Sequence, residues 1–275
     1  MGAGNDSNPA NSHLFPPESA SSFRRPPFIA KPAHRANNAR VGISIVIPAH
    51  NEERHLGRCL NSIARASQHT SSAVETIVVL NRCTDRTAEI ARRHRCRTVS
   101  EDAKNLARIR NAGAAAARGT ILVTIDADSW MHPRTLRDIE RKLGSGRYVG
   151  GGTHVLPERL SLGILCSALA ILPYLLRDGL SCGLFWCFRR DFEAIGGFDE
   201  TFLTVEDLDF LRRLKQYGRL TKRRFGTLWR APLVTSCRKF DHFGDWHLFR
   251  NRAFLQRAFN GHDRATADAY WYEAR

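Results

Sequence analysis

No two of the seven cysteines, at 59, 83, 96, 166, 182, 187 and 237, stand in a Cys-x-x-Cys pair, and their number is odd. That scatter argues against a disulfide framework and against a four-ligand zinc module, and it predicts reduced, structural thiols in a cytoplasmic protein. The first residues, Met-Gly-Ala-Gly-Asn-Asp-Ser, lack the basic-then-apolar run of a secretion leader, so none is expected. No uncharged run reaches the ~20 residues that span a bilayer. The longest, residues 160–176, contains Gly163 and Pro173 and is flanked by Arg159 and Arg177, and it reads as a buried or interfacial helix. Helix-turn-helix, zinc-finger and RNA-recognition patterns are missing too, as is a Gly-rich phosphate loop.

What is abundant is positive charge: 42 Lys and Arg against 27 Asp and Glu, a formal +15 on 275 residues. The excess points to an anionic partner, whether nucleic acid, a phosphorylated small molecule or an anionic membrane surface. Hydrophobic residues at 43% exclude a wholly disordered chain. The length allows one large or two small domains at ~150 residues each.

Residues 1–40, rich in Ser, Asn, Pro and Arg with two Pro-Pro pairs, read as a disordered basic arm. From Val41 the text changes. Ile43-Ser44-Ile45-Val46-Ile47, Thr76-Ile77-Val78-Val79-Leu80 and Ile121-Leu122-Val123-Thr124-Ile125 are apolar strand patterns separated by helical ones. Strands this apolar are buried on both faces, which predicts an α/β fold with a mostly parallel sheet flanked by helices. Residues 41–152 form the first half in this reading, 153–240 a second half, and 241–275 a helical C-terminal segment. Residues 208–275 hold 15 basic and 6 acidic residues, so most of the excess charge lies there.

In parallel sheets, ligands bind beyond the carboxyl ends of the strands. After the third strand comes Asp126-Ala127-Asp128, two carboxylates able to enter one crevice and suited to Mg²⁺ or Mn²⁺. An isolated Asp-x-Asp is more often a solvated turn or a cap; its place at a buried strand's mouth raises the functional reading. After the first strand, Pro48-Ala49-His50-Asn51-Glu52-Glu53 reads equally as a helix start and as a loop presenting donors to a phosphate or base. Asn81 opens the corresponding loop after the second strand. Arg108, Arg110 and Asn111 face either a diphosphate or solvent. Glu206-Asp207 begins a helix, where acidic residues suit the dipole, and is also a place for a proton acceptor.

Taken in order, Ser44-Ile-Val-Ile-Pro-Ala-His-Asn-Glu-Glu53, Ile77-Val-Val-Leu-Asn-Arg-Cys-Thr-Asp-Arg-Thr87, Ala107-Arg-Ile-Arg-Asn-Ala-Gly113, Asp126-Ala-Asp128, Gly196-Gly-Phe-Asp-Glu200 and Glu206-Asp207 resemble glycosyltransferase family 2 over roughly residues 41–225. The resemblance implies a GT-A fold, a Rossmann-like nucleotide-sugar half and an acceptor half. It implies a metal-dependent transferase of the hexosyltransferase type: Mn²⁺ or Mg²⁺ held mainly by Asp128, Asp126 on ribose or a metal-bound water, and Asp207 beside Glu206 as general base for inversion. Pro48, Ala49, Asn51 and Glu52 match the first nucleotide-contacting loop. Asn81 stands where many members carry an aspartate near the base, which leaves the nucleotide open. A histidine from the C-terminal portion supplies a further metal ligand in some members, and His242 is the candidate. Arg238 and Lys239 are placed to clamp the diphosphate from a closing segment, or to be a solvated patch. Trp186 and Phe188 read as core more than as a sugar platform. The implied partners are a nucleotide sugar and an acceptor that is a saccharide, a lipid-linked group or a small molecule. Nucleic acid is not expected, peripheral contact with an anionic membrane stays open, and so does the oligomeric state. A basic nucleic-acid-binding protein and a nucleotidyltransferase on a related fold are the competing readings.

Overall fold

Ile43-Ser44-Ile45-Val46-Ile47 is β-branched at four of five positions, and a strand of that kind has no face to give to water. In the computed structural model, which describes residues 42–178 and 183–269, it becomes β1 (Ile43–Ala49), buried along its whole length. The arm read at 1–40 lies outside the described residues. After β1 come α1 (Leu56–Ser67), β2 (Val74–Leu80), α2 (Thr87–Arg93), β3 (Arg97–Ser100), α3 (Leu106–Ala115) and β4 (Ile121–Ile125). The chain continues through β5 (Ser129–Met131), α4 (Thr135–Gly144), β6 (Tyr148–Pro157), α5 (Leu162–Asp178), β7 (Leu184–Phe188), α6 (Arg189–Ala194), α7 (Glu206–Leu220) and β8 (Arg224–Thr235). Short helices α8 (Arg238–Phe243), α9 (His247–Arg250), α10 (Arg252–Asn260) and α11 (Arg264–Asp268) complete the described chain.

All eight strands form one sheet in the order β3-β2-β1-β4-β7-β6-β8-β5. The first four are parallel, as the apolar runs predict, and β6 is parallel to β8. The sheet is mixed because β7 enters antiparallel between β4 and β6, and β5 pairs antiparallel with β8. The carboxyl ends of β1, β2, β4, β6 and β8 therefore share a rim with the start of β7, where Leu184 lies opposite Ile125.

Alternation along β1 divides the core. Ile43, Ile45 and Ile47 join a cluster with Leu56, Leu60 and Ile63 of α1 and Leu136 and Ile139 of α4; Val46 faces the other way, toward Ile109, Phe210, Leu211 and Leu214. Gly113 lets α3 lie against the second face, since a Cβ there would stand 2.3 Å from Val46 Cγ1 and 2.7 Å from Val79 Cγ2. Gly151 does the same for Trp186, whose Cζ2 would be 2.4 Å from an added Cβ. Trp186 is therefore wholly interior and unable to stack on a sugar. Opposite Thr153 and Val155, which have one residue between them, β8 places four residues between Leu228 and Leu233, a three-residue excess that tolerates Pro232 and turns Trp229 outward.

Candidate active site at the strand rim

The rim is tied together by backbone and side-chain bonds between successive loops. Pro48 and Ala49 end β1 opposite Val79 and Leu80, so they line the rim through backbone, and Asn81 N donates to Ala49 O at 2.8 Å. Asn51 adopts a left-handed φ of 51° and accepts from Thr84 N at 2.9 Å. Glu52 N donates to Thr87 Oγ1 at 2.7 Å, and Glu53 N to Asp85 Oδ2 at 2.9 Å. These bonds hold the β1 loop against the β2 loop.

Asn81 is buried, and its amide has both hydrogens committed: Nδ2 donates to Glu101 O at 2.5 Å and to Ala103 O at 2.9 Å. An aspartate has no hydrogen to give in either bond. Asn81 thus secures the loop leading into α3, and its side chain faces that loop's backbone.

Two arginines gather the carboxylates. Arg110, only 4% exposed, pairs through Nη2 with Asp126 Oδ1 at 2.7 Å and donates through Nη1 to Glu206 Oε1. It is therefore on no solvated face, and its two terminal nitrogens are spent on the carboxylates of the crevice. Arg238 grips Glu52 with both terminal nitrogens, at 2.7 and 2.9 Å, and its Nη2 also lies 2.9 Å from Asp128 Oδ2. Asp128 is further held by Ser236, whose N donates to Asp128 O at 3.0 Å. Glu206 and Asp207 open α7 behind Val205, a β-branched residue held at φ 54°. That strained backbone sets the angle at which the acidic pair enters the crevice.

Four carboxylates, from Glu52, Asp126, Asp128 and Glu206, thus pair with two guanidinium groups, and a fifth, Asp207 beside Glu206, acts electrostatically on Arg110. An excess of negative charge in a partly closed crevice is unfavourable unless protons or a cation enter. Burial pushes the Glu206 carboxyl up to about 7, Arg110 opposes that shift, and Asp207 adds to it. Asp207 is also raised, mainly by burial. Burial works against the charge on Arg110, but Asp126, Glu206 and Asp207 outweigh it, so its pKa rises.

Asp126 and Asp128 offer the hard oxygen donors that Mg²⁺ or Mn²⁺ takes, and the surplus negative charge suits such an ion. Among the described residues no three of His, Cys, Asp and Glu close around one point. The remaining ligands of an ion here would be water and phosphate oxygens, as is usual for Mg²⁺. Arg238 Nε, a buried donor with no acceptor, suits an anion at the same place. Of the three α8 residues singled out in the sequence, Arg238, Lys239 and His242, the structure brings Arg238 to Asp128. His242 lies one turn further on, exposed, with its ring edge-on to Phe243 at 4.6 Å. Sequence reasoning missed Ser236, Thr87 and the strained Val205; the Asp85-Arg86-Thr87 spacing was the one local signal, since Asp85 Oδ1 accepts from Thr87 N.

Residues 44–159 match the model of glycosyl transferase family 2. The uncharacterized glycosyltransferase EpsJ of Bacillus subtilis is 34% identical over 94 residues, covering 32% of this chain and 26% of that protein. The chain spans less than two fifths of the length of the curated relatives it matches. Among solved structures, S. aureus TarS in complex with UDP-GlcNAc superposes with a TM-score of 0.54 at 15% identity, over 71% of this chain and 58% of that one. The mannosyltransferase PcManGT of Pyrobaculum calidifontis, in complex with GDP-Man and Mn²⁺, gives a TM-score of 0.56 at 18% identity, over 85% and 70%. At such identities the structural likeness concerns the fold, which is the GT-A type.

Proposed function

We propose that this chain, a member of glycosyltransferase family 2 through residues 44–159, transfers a hexosyl group from a nucleoside-diphosphate sugar to an acceptor hydroxyl, with inversion at the anomeric carbon. The observation that carries the reading is the gathering of Asp126, Asp128 and Glu206 at one sheet rim by Arg110 and Arg238, with Asp207 next to Glu206 and near enough to help hold the charge on Arg110. Nucleotide-sugar complexes of TarS and PcManGT, on the same fold, support the donor class.

In this mechanism Asp128 and Asp126 would hold Mn²⁺ or Mg²⁺, which when bound supplies proton-independent stabilisation of charge on a departing diphosphate. The chain's own residues do the rest. The β1 loop at Ala49, Asn51 and Glu52 and the loop secured by Asn81 form the nucleotide's bed. Arg238, half-buried and positively charged, adds electrostatic stabilisation on the diphosphate side. Asp207 takes the proton of the acceptor hydroxyl as that oxygen bonds to the anomeric carbon. The bond from that carbon to the phosphate oxygen breaks, and its electron pair leaves with the diphosphate. A base whose pKa is raised toward neutrality is better matched to that transfer. Arg110 positions the neighbouring carboxylates by pairing with Glu206 and Asp126.

The test is a thermal-shift screen of UDP-, GDP- and dTDP-sugars with and without Mn²⁺, since a ligand of the native state raises stability by mass action. One donor is expected to stabilise the chain with Mn²⁺, Asp128→Ala to lose that shift, and Asp207→Asn to keep it while losing transfer. Absence of any shift with all three donors would overturn the reading.

A further inference from the structure

The run at residues 160–176 forms a helix that faces the wrong way for a soluble core. On α5 and just before it, Leu160, Leu162, Leu165 and Leu169 are 81, 68, 53 and 56% exposed. Positions 162, 165 and 169 recur at i, i+3 and i+7, so their side chains share one face. The opposite face is the one that docks, and it docks largely through polar groups. Ser167 Oγ donates to Asp245 O at 2.7 Å and Ser161 Oγ to Asp245 Oδ2 at 2.5 Å. Gly163 lies so close to Asp245 and Trp246 that a Cβ would stand 2.7 Å from Asp245 Cβ. A surface helix ordinarily hides its apolar stripe; this one displays it.

What adjoins the stripe is basic and aromatic on the α9 side, while at its start Arg159 is paired with Asp241 and Asp245. α9, packed on α5, carries exposed Phe249 and Arg250. α9 itself, His247–Arg250, has no acidic residue, and Trp246 just before it lies against Gly163. This is the composition of a surface that lies in the headgroup layer of an anionic bilayer. A second copy of the chain fits less well. At these exposures the four leucines present on the order of 500 Å² of apolar surface, an area either a bilayer or a second copy could cover, so charge decides between them. Two chains each of formal charge +15 also repel, whereas an anionic bilayer attracts both.

The stripe sits beside the crevice. Just before α5, Glu158 N bonds Thr235 O at 2.9 Å, and Arg159 O lies 3.7 Å from the thiol of Cys237; the residue between, Ser236, is the one that holds Asp128. After α5 the strand resumes at Leu184, opposite Ile125 and next to Asp126.

We propose that the Leu160, Leu162, Leu165 and Leu169 face, with Phe249 and Arg250, docks on an anionic lipid bilayer and so presents the crevice to an acceptor hydroxyl carried on a lipid. The acceptor clause rests on the sugar-transfer reading; the docking itself does not. The test is flotation of the full chain with vesicles of phosphatidylcholine, with and without added phosphatidylglycerol, beside the exposed-face variant Leu165→Gln/Leu169→Gln. The unaltered chain is expected to float with the anionic vesicles, less so at high salt, and the variant to lose about tenfold or more in partitioning. Both are expected to melt at the same temperature and to show the same donor-induced thermal shift. Equal flotation of the two proteins, or none by either, overturns the proposal. So does elution of the unaltered chain as a dimer that the variant abolishes. Flotation as expected with no donor shift in either protein would uphold the docking face and overturn the sugar-transfer reading with its acceptor clause.

Discussion

Replacing Arg110 by methionine isolates what the buried guanidinium does, because methionine fills much of the same volume and leaves Asp126, Glu206 and Asp207 without their shared cation. Breaking a buried pair from one side costs about 3–5 kcal/mol, since the abandoned charge remains. The cost depends on pH in a direction that can be worked out. Glu206 has its carboxyl raised to about 7 in the folded chain, against ~4.3 unfolded. Between those values the folded state binds the extra proton, so stability is fullest below the unfolded value and falls as pH rises through the folded one. Removing Arg110, which opposes the rise, lifts the folded value further and extends the loss to higher pH. Urea denaturation at about pH 8 should therefore show an Arg110→Met loss of roughly 2 kcal/mol or more, still growing toward ~3–5 kcal/mol at higher pH, and at about pH 5.5 a clearly smaller one, because the carboxyls can take up protons. Adding Glu206→Gln should return part of the loss at the higher pH. An equal loss at both pH values, or one under about 1 kcal/mol at pH 8, would refute the electrostatic role of Arg110.

Asn81→Asp should cost about 2–4 kcal/mol in denaturant titration and speed amide exchange over residues 101–105, since it leaves the carbonyls of Glu101 and Ala103 without a donor. Gly113→Ala should lower stability by about 1–3 kcal/mol, read as a drop in melting temperature, because Val46 and Val79 have to yield to the added methyl. The Asp245 carboxyl is held down to about 2 by hydrogen bonds from Arg159 and Ser161. A depressed carboxyl stabilises above the unfolded value of ~3.9 and loses that contribution as pH falls toward the folded one. The ratio of pepsin cleavage near the start of α5 in Asp245→Asn to that in the unaltered chain, which cancels the protease's own pH dependence, should accordingly be largest near pH 4 and fall toward one as pH drops to about 2.

The strands that could be read directly were those the sheet buries on both faces. β1, β2 and β4 had no option but a continuous apolar run, and their ends marked the rim. β3 escaped notice because, at the sheet's edge, Arg97, Thr98 and Ser100 are exposed and Val99 alone packs inward. β8 escaped because its bulge puts Trp229, Arg230 and Pro232 in the middle of twelve strand residues, breaking the alternation that identifies a strand. The antiparallel entry of β7 has no local signature at all. It depends on where α5 sends the chain, a matter of tertiary packing.

The site divides along the same line. Carboxylates at strand and helix ends are visible as motifs, because the rim is where a sheet admits polar groups. Their pairing is not visible, since Arg110 meets Glu206 across 96 positions and Arg238 meets Glu52 across 186. Yet one signal was present in the helix itself. Ala107, Arg110 and Ala114 stand at i, i+3 and i+7, on the buried side of α3, so an arginine occupies the register of the apolar face. A cation is tolerated there only if carboxylates meet it inside the protein, and the two acidic motifs left without partners in the sequence, Asp126-Ala127-Asp128 and Glu206-Asp207, were the available ones. Reading the helix register before the charge would have turned Arg110 from a surface contact into the residue that draws the two halves of the crevice together.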